Sequence, residues 1–205
     1  MAAREYGQYC GVTQALELVG ERWALLIVRD LLVGPRRYGE LANGLQRIPS
    51  NILATRLKEL QAAGIIRRGP RSRIIVYELT PYGRELEPLV LGLSAWGLKA
   101  LEDPREEQIL TPDAMTIALR TAFRPDAAAA LPATSYAGGF GGTELLIRVD
   151  GRELDFARGT GPADLVFTTD ARIRPVLTGE LDSVRVLSGD PRLLDRFATT
   201  FRLAA

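Results

Sequence analysis

The side chains best suited to chemistry lie between Ser50 and Ala63, where polar and apolar residues alternate at helical spacing. One face of the predicted helix carries short or basic side chains: Asn51, Ala54, Thr55 and Lys58. The opposite face carries three leucines: Leu53, Leu57 and Leu60. Amide, hydroxyl and ammonium groups on one helix face can hydrogen-bond to base edges in the major groove, and an alanine can approach a thymine methyl. The polar face is therefore a candidate for reading bases.

A second amphipathic helix is predicted just upstream, over residues 38–45, and residues 46–49 join the two. Pro49 ends the connecting segment, and we expect Ser50 to cap the second helix through its hydroxyl. Two short helices with a tight joint make a helix-turn-helix, whose second helix enters the major groove. A plain helical hairpin within a core is the alternative.

Positive charge is concentrated around this motif. Residues 36–73 contain nine basic and two acidic residues, a balance of +7, whereas the whole chain carries +1. A cluster of this kind suits a polyanion, although a solvated surface is the usual alternative. The residues expected to hold phosphates or enter the minor groove are Arg36, Arg37, Tyr38, Ser50, Arg56, Arg71 and Arg73.

A β-hairpin is predicted directly after the second helix. Residues 65–68 and 73–79 are rich in β-branched side chains, and Gly69, Pro70, Arg71 and Ser72 form the expected turn. A hairpin with a basic tip beside a recognition helix is a wing, and arginine is favoured in a narrow minor groove. An ordinary sheet edge is the alternative.

Composition excludes several classes of chemistry. The chain has no histidine and one cysteine, so we expect no ordinary transition-metal site, no cofactor and no histidine-based catalysis, and we do not expect an enzyme. No apolar run approaches the ~20 residues of a membrane span, and the N-terminus lacks a signal peptide. We expect a cytoplasmic protein that does not enter a membrane.

Three stretches of the first half resemble the HxlR-type winged-helix regulators, relatives of the MarR group: YCGVTQALELVGERWALLIVRDLL, RRYGELANGLQRIPSNILATRLKELQAAGIIRR and YELTPYGREL. The resemblance implies a homodimer that binds a roughly palindromic operator in double-stranded DNA. Residues 81–101 carry an apolar stripe, interrupted by Pro88, that would form the dimer interface with the N-terminal helix. Packing of this stripe against the same chain is the alternative.

Cys10 occupies a position where the resembled family commonly has a cysteine, which in some members senses oxidants. A helix N-terminus would lower the pKa of its thiol. The sequence favours a buried, inert thiol over a reactive one, because the chain has no second cysteine to form a disulfide with it.

The second half predicts an α+β layer with helices over one sheet face. Residues 102–112 read as a linker, and four strands are expected, near residues 144–150, 153–157, 163–168 and 184–187. The glycines at 138–142 lack the strand–turn–helix context of a nucleotide site. The stretches LLIRVDG, PADLVFTTD, VLTGELD and VRVLSGDPRLLDRF resemble the sterol carrier protein type 2 domain. That resemblance implies a tunnel for a hydrophobic ligand.

Six apolar residues are candidates to line such a tunnel, with ordinary core positions as the alternative: Phe156, Phe167, Leu177, Val186, Phe197 and Phe201. The sequence thus predicts an α+β protein with a winged helix-turn-helix domain over 1–101, a linker over 102–112 and a sterol-carrier-like domain over 113–205. We expect a homodimeric transcription regulator, a repressor, with a hydrophobic small-molecule effector. The competing hypothesis is a lipid carrier or scaffold whose helix-turn-helix only dimerises.

Overall fold

The computed structural model describes residues 5–203, and their contacts divide the chain into two units after Val90. The division falls inside a single helix, Glu87–Lys99, and precedes the boundary at residue 101 that the sequence predicts. The predicted domain limits therefore stay a prediction, and each unit is described separately below.

The first unit is built from helices and one hairpin. Its helices are α1 (Gly11–Val19), α2 (Ala24–Val33), α3 (Tyr38–Gly44), α4 (Ser50–Ala62), α5 (Pro81–Arg84) and the start of α6 (Glu87–Lys99). The leucine stripe of α4 is fully buried, as its spacing predicts, and so are Ile27, Leu31 and Leu41 of α2 and α3. Each such side chain contributes roughly 1.5–3 kcal/mol of transfer free energy. This burial turns the polar face of α4 outward.

Gly20 follows the last residue of α1 and keeps a right-handed backbone with φ −73°. A left-handed conformation is therefore not the reason for a glycine at this position. The Gly20 N–H donates to the Leu16 carbonyl at 2.8 Å, and a Cβ at this position would lie 2.4 Å from that oxygen. Glycine is therefore required at this helix end for space.

The predicted hairpin is present, with β1 (Ile66–Arg71) paired to β2 (Ile74–Leu79) in antiparallel register. The predicted turn over residues 69–72 is wrong, because Gly69 and Pro70 continue the strand and Ser72 and Arg73 form the turn. Ser72 takes the left-handed conformation, φ 58°, that such a tight turn demands. Pro70 is tolerated because β1 pairs on one side only.

The second unit is α+β and contains the end of α6, four further helices and a five-stranded sheet. The helices are α7 (Pro112–Ala122), α8 (Pro125–Ala129), α9 (Ile173–Thr178) and α10 (Leu193–Thr200). The strands are β3 (Thr134–Phe140), β4 (Thr143–Asp150), β5 (Glu153–Arg158), β6 (Leu165–Thr169) and β7 (Arg185–Gly189), in the order β5-β4-β3-β6-β7. Only the β3–β6 pair is parallel. Helices α7 and α8 pack on β4, whose side chains alternate between buried and solvent-facing.

Strand β3 contains the glycine-rich segment that the sequence analysis did not assign to a strand. Gly138 is needed there, because a Cβ would lie 2.6 Å from the Phe140 ring and 3.1 Å from the Phe167 ring. Those two rings pack edge to face with centroids 5.6 Å apart. The glycines therefore make room for aromatic packing in the core.

Candidate nucleic-acid interface

The outward face of α4 presents hydrogen-bonding groups on a rigid support. Asn51 and Lys58 are exposed, while Ala54 and Thr55 are partly exposed between them. The Thr55 hydroxyl donates to the Asn51 carbonyl at 2.9 Å, which fixes its rotamer and leaves its lone pairs outward. The side chains predicted to read bases thus share one accessible face.

The joint between α3 and α4 is fixed by a hydrogen bond and a strained residue. The Tyr38 hydroxyl donates to the Ser50 carbonyl at 2.9 Å, which ties together the N-termini of the two helices. Ser50 is not the N-cap that the sequence predicts, because Pro49 occupies that position with φ −62° and ψ 140° and no side-chain cap bond forms. Ser50 is exposed as the first helical residue.

Arg47 lies in the same joint and was not among the predicted contacts. It is exposed and adopts the left-handed φ of 71°, which is unfavourable for a side chain of its size. Its position between the two predicted helices is the sequence feature that could have identified it. Arg47 is therefore an exposed cation in the joint that precedes α4.

The two arginines before α3 have different surroundings. The backbone of Arg36 pairs with Tyr77 of β2 through hydrogen bonds of 3.0 and 2.8 Å, and its guanidinium donates to the Pro35 carbonyl at 3.0 Å. Arg36 is half-buried, so its first role is to join the wing to the loop. Arg37 has an exposed side chain, while its backbone N–H donates to the Glu40 carboxylate at 2.6 Å.

Arg56, which the sequence predicts to contact phosphate, is engaged by two carboxylates of the first unit. Its guanidinium donates to Glu21 at 2.8 Å and to Glu59, and only 13% of its side chain is exposed. Its Nε is buried without a hydrogen-bond partner in the described part of the chain. A guanidinium that bonds two carboxylates ties α4 to the segment after α1, so we do not include Arg56 among the proposed phosphate contacts.

The tip of the wing carries two exposed arginines, Arg71 at the end of β1 and Arg73 in the turn. Closer to the base of the hairpin, Arg67 is paired with Glu78 at 2.8 Å. The local excess of positive charge is therefore smaller at the base of the wing than at its tip.

Cys10 is exposed and is the N-cap residue of α1, so the expectation of a buried thiol is wrong. Hydrogen bonds from the backbone N–H groups of Thr13 and Val12, and then from the Thr13 hydroxyl, lower the pKa of the thiol. Each of these donors stabilises the thiolate form.

Two helices expose large apolar side chains. Val12 and Leu16 do so on α1, and Leu89, Leu93 and Trp96 do so on α6, where 76% of Trp96 is accessible. A groove of about 210 Å³ lies between α1 and residues 82–89 of the first unit. Leu98 of α6 packs into the core of the second unit.

The six predicted ligand-lining residues belong to the hydrophobic core of the second unit. Phe167, Leu177, Phe197 and Phe201 are completely buried, and Phe156 and Val186 pack against them. Phe197 lies 5.1 Å from Phe167 and 4.7 Å from Phe201, centroid to centroid. A cleft of about 440 Å³ in this unit is lined by residues of segments 101–110 and 171–180, none of them among the six.

The described residues contain no helix long and apolar enough to cross a membrane. Within the same part of the chain, no group of three or more cysteine or carboxylate side chains is placed to hold a metal ion.

The first unit, with its helix-turn-helix and wing, has the architecture of the HTH-type regulators. A family model described as HxlR-like helix-turn-helix matches residues 18–105. A relative from Synechocystis sp., an HTH-type transcriptional regulator, is 33% identical over 101 residues, which are 48% of this chain and 75% of the relative. The chain therefore belongs to the HxlR-like helix-turn-helix family.

Other relatives carry the same description. An HTH-type transcriptional regulator of Mycobacterium tuberculosis is 44% identical over 96 residues, which are 45% of this chain. The chain spans 60% of that relative's own length. Among solved structures, the redox regulator HypR in its oxidised form is 31% identical and has a TM-score of 0.43, with 46% of this chain and 100% of that chain covered.

Proposed function

We propose that the protein is a DNA-binding transcription regulator of the cytoplasm that reads an operator through α4. The observation that carries the proposal is the accessible row formed by Asn51, Thr55 and Lys58 on a helix whose other face is fully buried. Amide and ammonium groups in such a row can bond adenine and guanine edges, worth about 1–3 kcal/mol of discrimination per bidentate contact.

Contacts to the phosphates of the DNA backbone would surround the row formed by Asn51, Thr55 and Lys58. Arg37 and Arg47 lie at the two ends of α3, and Arg71 and Arg73 lie at the wing tip, all exposed. Four phosphate contacts in each protomer of a dimer give a slope of about −7 in the logarithm of the association constant against log salt. Arg56 is left out of this set, because its guanidinium is occupied by Glu21 and Glu59.

We propose a homodimer because α1 and α6 expose apolar side chains that a single chain leaves in water. A two-fold dimer would place two copies of α4 about one helical turn of DNA apart, on a pseudo-palindromic operator. Trp96→Asp should convert the dimer to a monomer in sedimentation velocity, whereas Lys99→Asp, an exposed change on the same helix, should not. A monomeric wild-type chain would refute the dimer.

The test of DNA binding is fluorescence anisotropy with a random-sequence duplex at two salt concentrations, followed by selection of bound sequences from a random library. A carrier or scaffold that uses the helix-turn-helix only to dimerise would show no salt-dependent binding and no enriched sequence. Asn51→Ala should relax the selected sequence, and Gln61→Ala, an exposed residue near the end of α4, should leave it unchanged.

Repression through operator occupancy and control by a small-molecule effector are further parts of the proposal. The resemblance of residues 113–205 to a sterol carrier domain stays a prediction. The cleft of about 440 Å³ supports an effector site in the second unit, and its volume is that of a small-molecule pocket.

A further inference from the structure

The cleft of the second unit has two walls from separate parts of the chain. One wall is the coil of residues 101–110, and the other is the start of α9 and its flanking loops, residues 171–180. The coil is held near Leu110, whose carbonyl accepts a hydrogen bond from the Thr143 hydroxyl of β4. A turn bond from the Arg105 N–H to Gln108, 2.9 Å, orders its middle. The cleft is thus a shaped feature with anchored walls.

Half of the fourteen residues that line the cleft are apolar. Leu101 and Ile109 are 42% and 53% exposed, while Ile173 of α9, which also lines the cleft, is buried. Large apolar side chains left open to solvent inside a concave site mark the place where a ligand can bury apolar surface.

Acidic side chains outnumber basic ones in the lining of the cleft. Glu102, Asp103 and Glu180 line it, against Arg172 and Arg174. Arg172 is already engaged, since its guanidinium donates to Asp170 at 2.8 and 2.6 Å and lies 3.9 Å from Asp103 across the walls. These hydrogen bonds from Arg172 also lower the pKa of Asp170 and keep its carboxyl ionised. The lining of the cleft therefore has three carboxylates and two guanidinium groups, one of which is already bound to Asp170.

We propose that this cleft binds a hydrophobic organic cation, with its apolar body against Leu101 and Ile109 and its charge near Glu102 and Glu180. An anionic amphiphile such as a fatty carboxylate would meet the excess negative charge. A bare metal ion would not use the apolar walls. The proposal names the site and chemistry of the effector role suggested above, and it does not depend on DNA binding.

The probes are two ions of matched size and shape, tetraphenylphosphonium and tetraphenylborate, titrated calorimetrically into the full chain without DNA in a sodium buffer. The cation should bind at least tenfold more tightly than the anion, and its affinity should fall as salt is added. Equal affinities, a tighter anion or no binding of either ion would overturn the proposal.

Variants localise the site. Glu102→Gln and Glu180→Gln should each weaken cation binding about threefold, the effect of one carboxylate ~6 Å away in a water-like dielectric. Glu153→Gln on β5, an exposed carboxylate outside the lining, is the matched control and should change nothing. If Glu153→Gln alone weakened cation binding, the cation would bind elsewhere and the assignment of the cleft would be refuted. Binding to a random duplex, measured on the same preparation, separates failure of this site from failure of the DNA-binding proposal.

Discussion

Replacing Arg56 with glutamine should destabilise the fold without changing how DNA binding depends on salt. The substitution removes charge-assisted hydrogen bonds to Glu21 and Glu59, and such bonds are worth about 1.5–3 kcal/mol each. The carboxylates are 28% and 41% exposed and regain water when the arginine is lost, so the expected net loss is about 2 kcal/mol. For a unit of this size that corresponds to a fall of roughly 10 °C in Tm.

The assay is urea denaturation followed by tryptophan fluorescence, paired with duplex anisotropy over a range of salt. Arg37→Gln is the matched variant, because the backbone N–H rather than the side chain of Arg37 bonds Glu40. It should leave the urea midpoint nearly unchanged and lower the magnitude of the salt slope by about one per protomer. A double-mutant cycle of Arg56→Gln with Glu21→Gln should give a coupling energy of about 1 kcal/mol.

The opposite pattern would refute the assignment of Arg56. If Arg56→Gln kept the wild-type urea midpoint and flattened the salt dependence, its guanidinium would be bound to phosphate in the complex. If Arg37→Gln left the salt dependence of DNA binding unchanged, the proposed contact between the Arg37 side chain and a DNA phosphate would be wrong.

Three further predictions concern titration and strain. Alkylation of Cys10 should titrate below the ordinary thiol pKa of 9.0, and Thr13→Val should raise the midpoint; an unshifted midpoint would contradict the hydrogen-bond account. Burial raises the pKa of Tyr136 to about 12, so the unfolded chain loses this proton near pH 10 while the native chain keeps it. The stability that Tyr136 contributes is therefore complete below pH 10 and disappears by pH 12. Urea titrations at pH 9 and 11 should show a loss of about 1.4 kcal/mol that Tyr136→Phe abolishes. Arg47→Gly should relieve about 1 kcal/mol of left-handed strain while weakening duplex binding, and a lower urea midpoint would refute the strain.

Local sequence patterns were sufficient to predict α3, α4 and the hairpin of the first unit, although not the residues of the hairpin's turn. The spacing of Leu53, Leu57 and Leu60 defines a buried stripe, and these leucines are completely buried in the structure. A helical repeat reports only on its own helix, however. It could not show that Arg56 meets Glu21, a residue 35 positions earlier in the chain.

The second unit shows where sequence patterns fail. Strand β3 was missed because Gly138 and Gly139 suggest a loop, whereas Gly138 is needed in the strand to make room for the rings of Phe140 and Phe167. The choice between core and ligand contact for Phe167 and Phe197 depends on tertiary packing, which composition does not encode. The cleft at residues 101–110 and 171–180 was likewise invisible, because its walls come from distant segments.

Pro70 has a consequence for how copies of the protein behave at high local concentration. An unpaired strand edge ordinarily offers a row of amide donors to which a neighbouring molecule can add a strand. Pro70 removes one donor from the outer edge of β1, and charged Arg68 and Arg71 flank that gap. Neighbouring copies at high concentration should thus stay separate at this edge, without their hairpins fusing into intermolecular sheets.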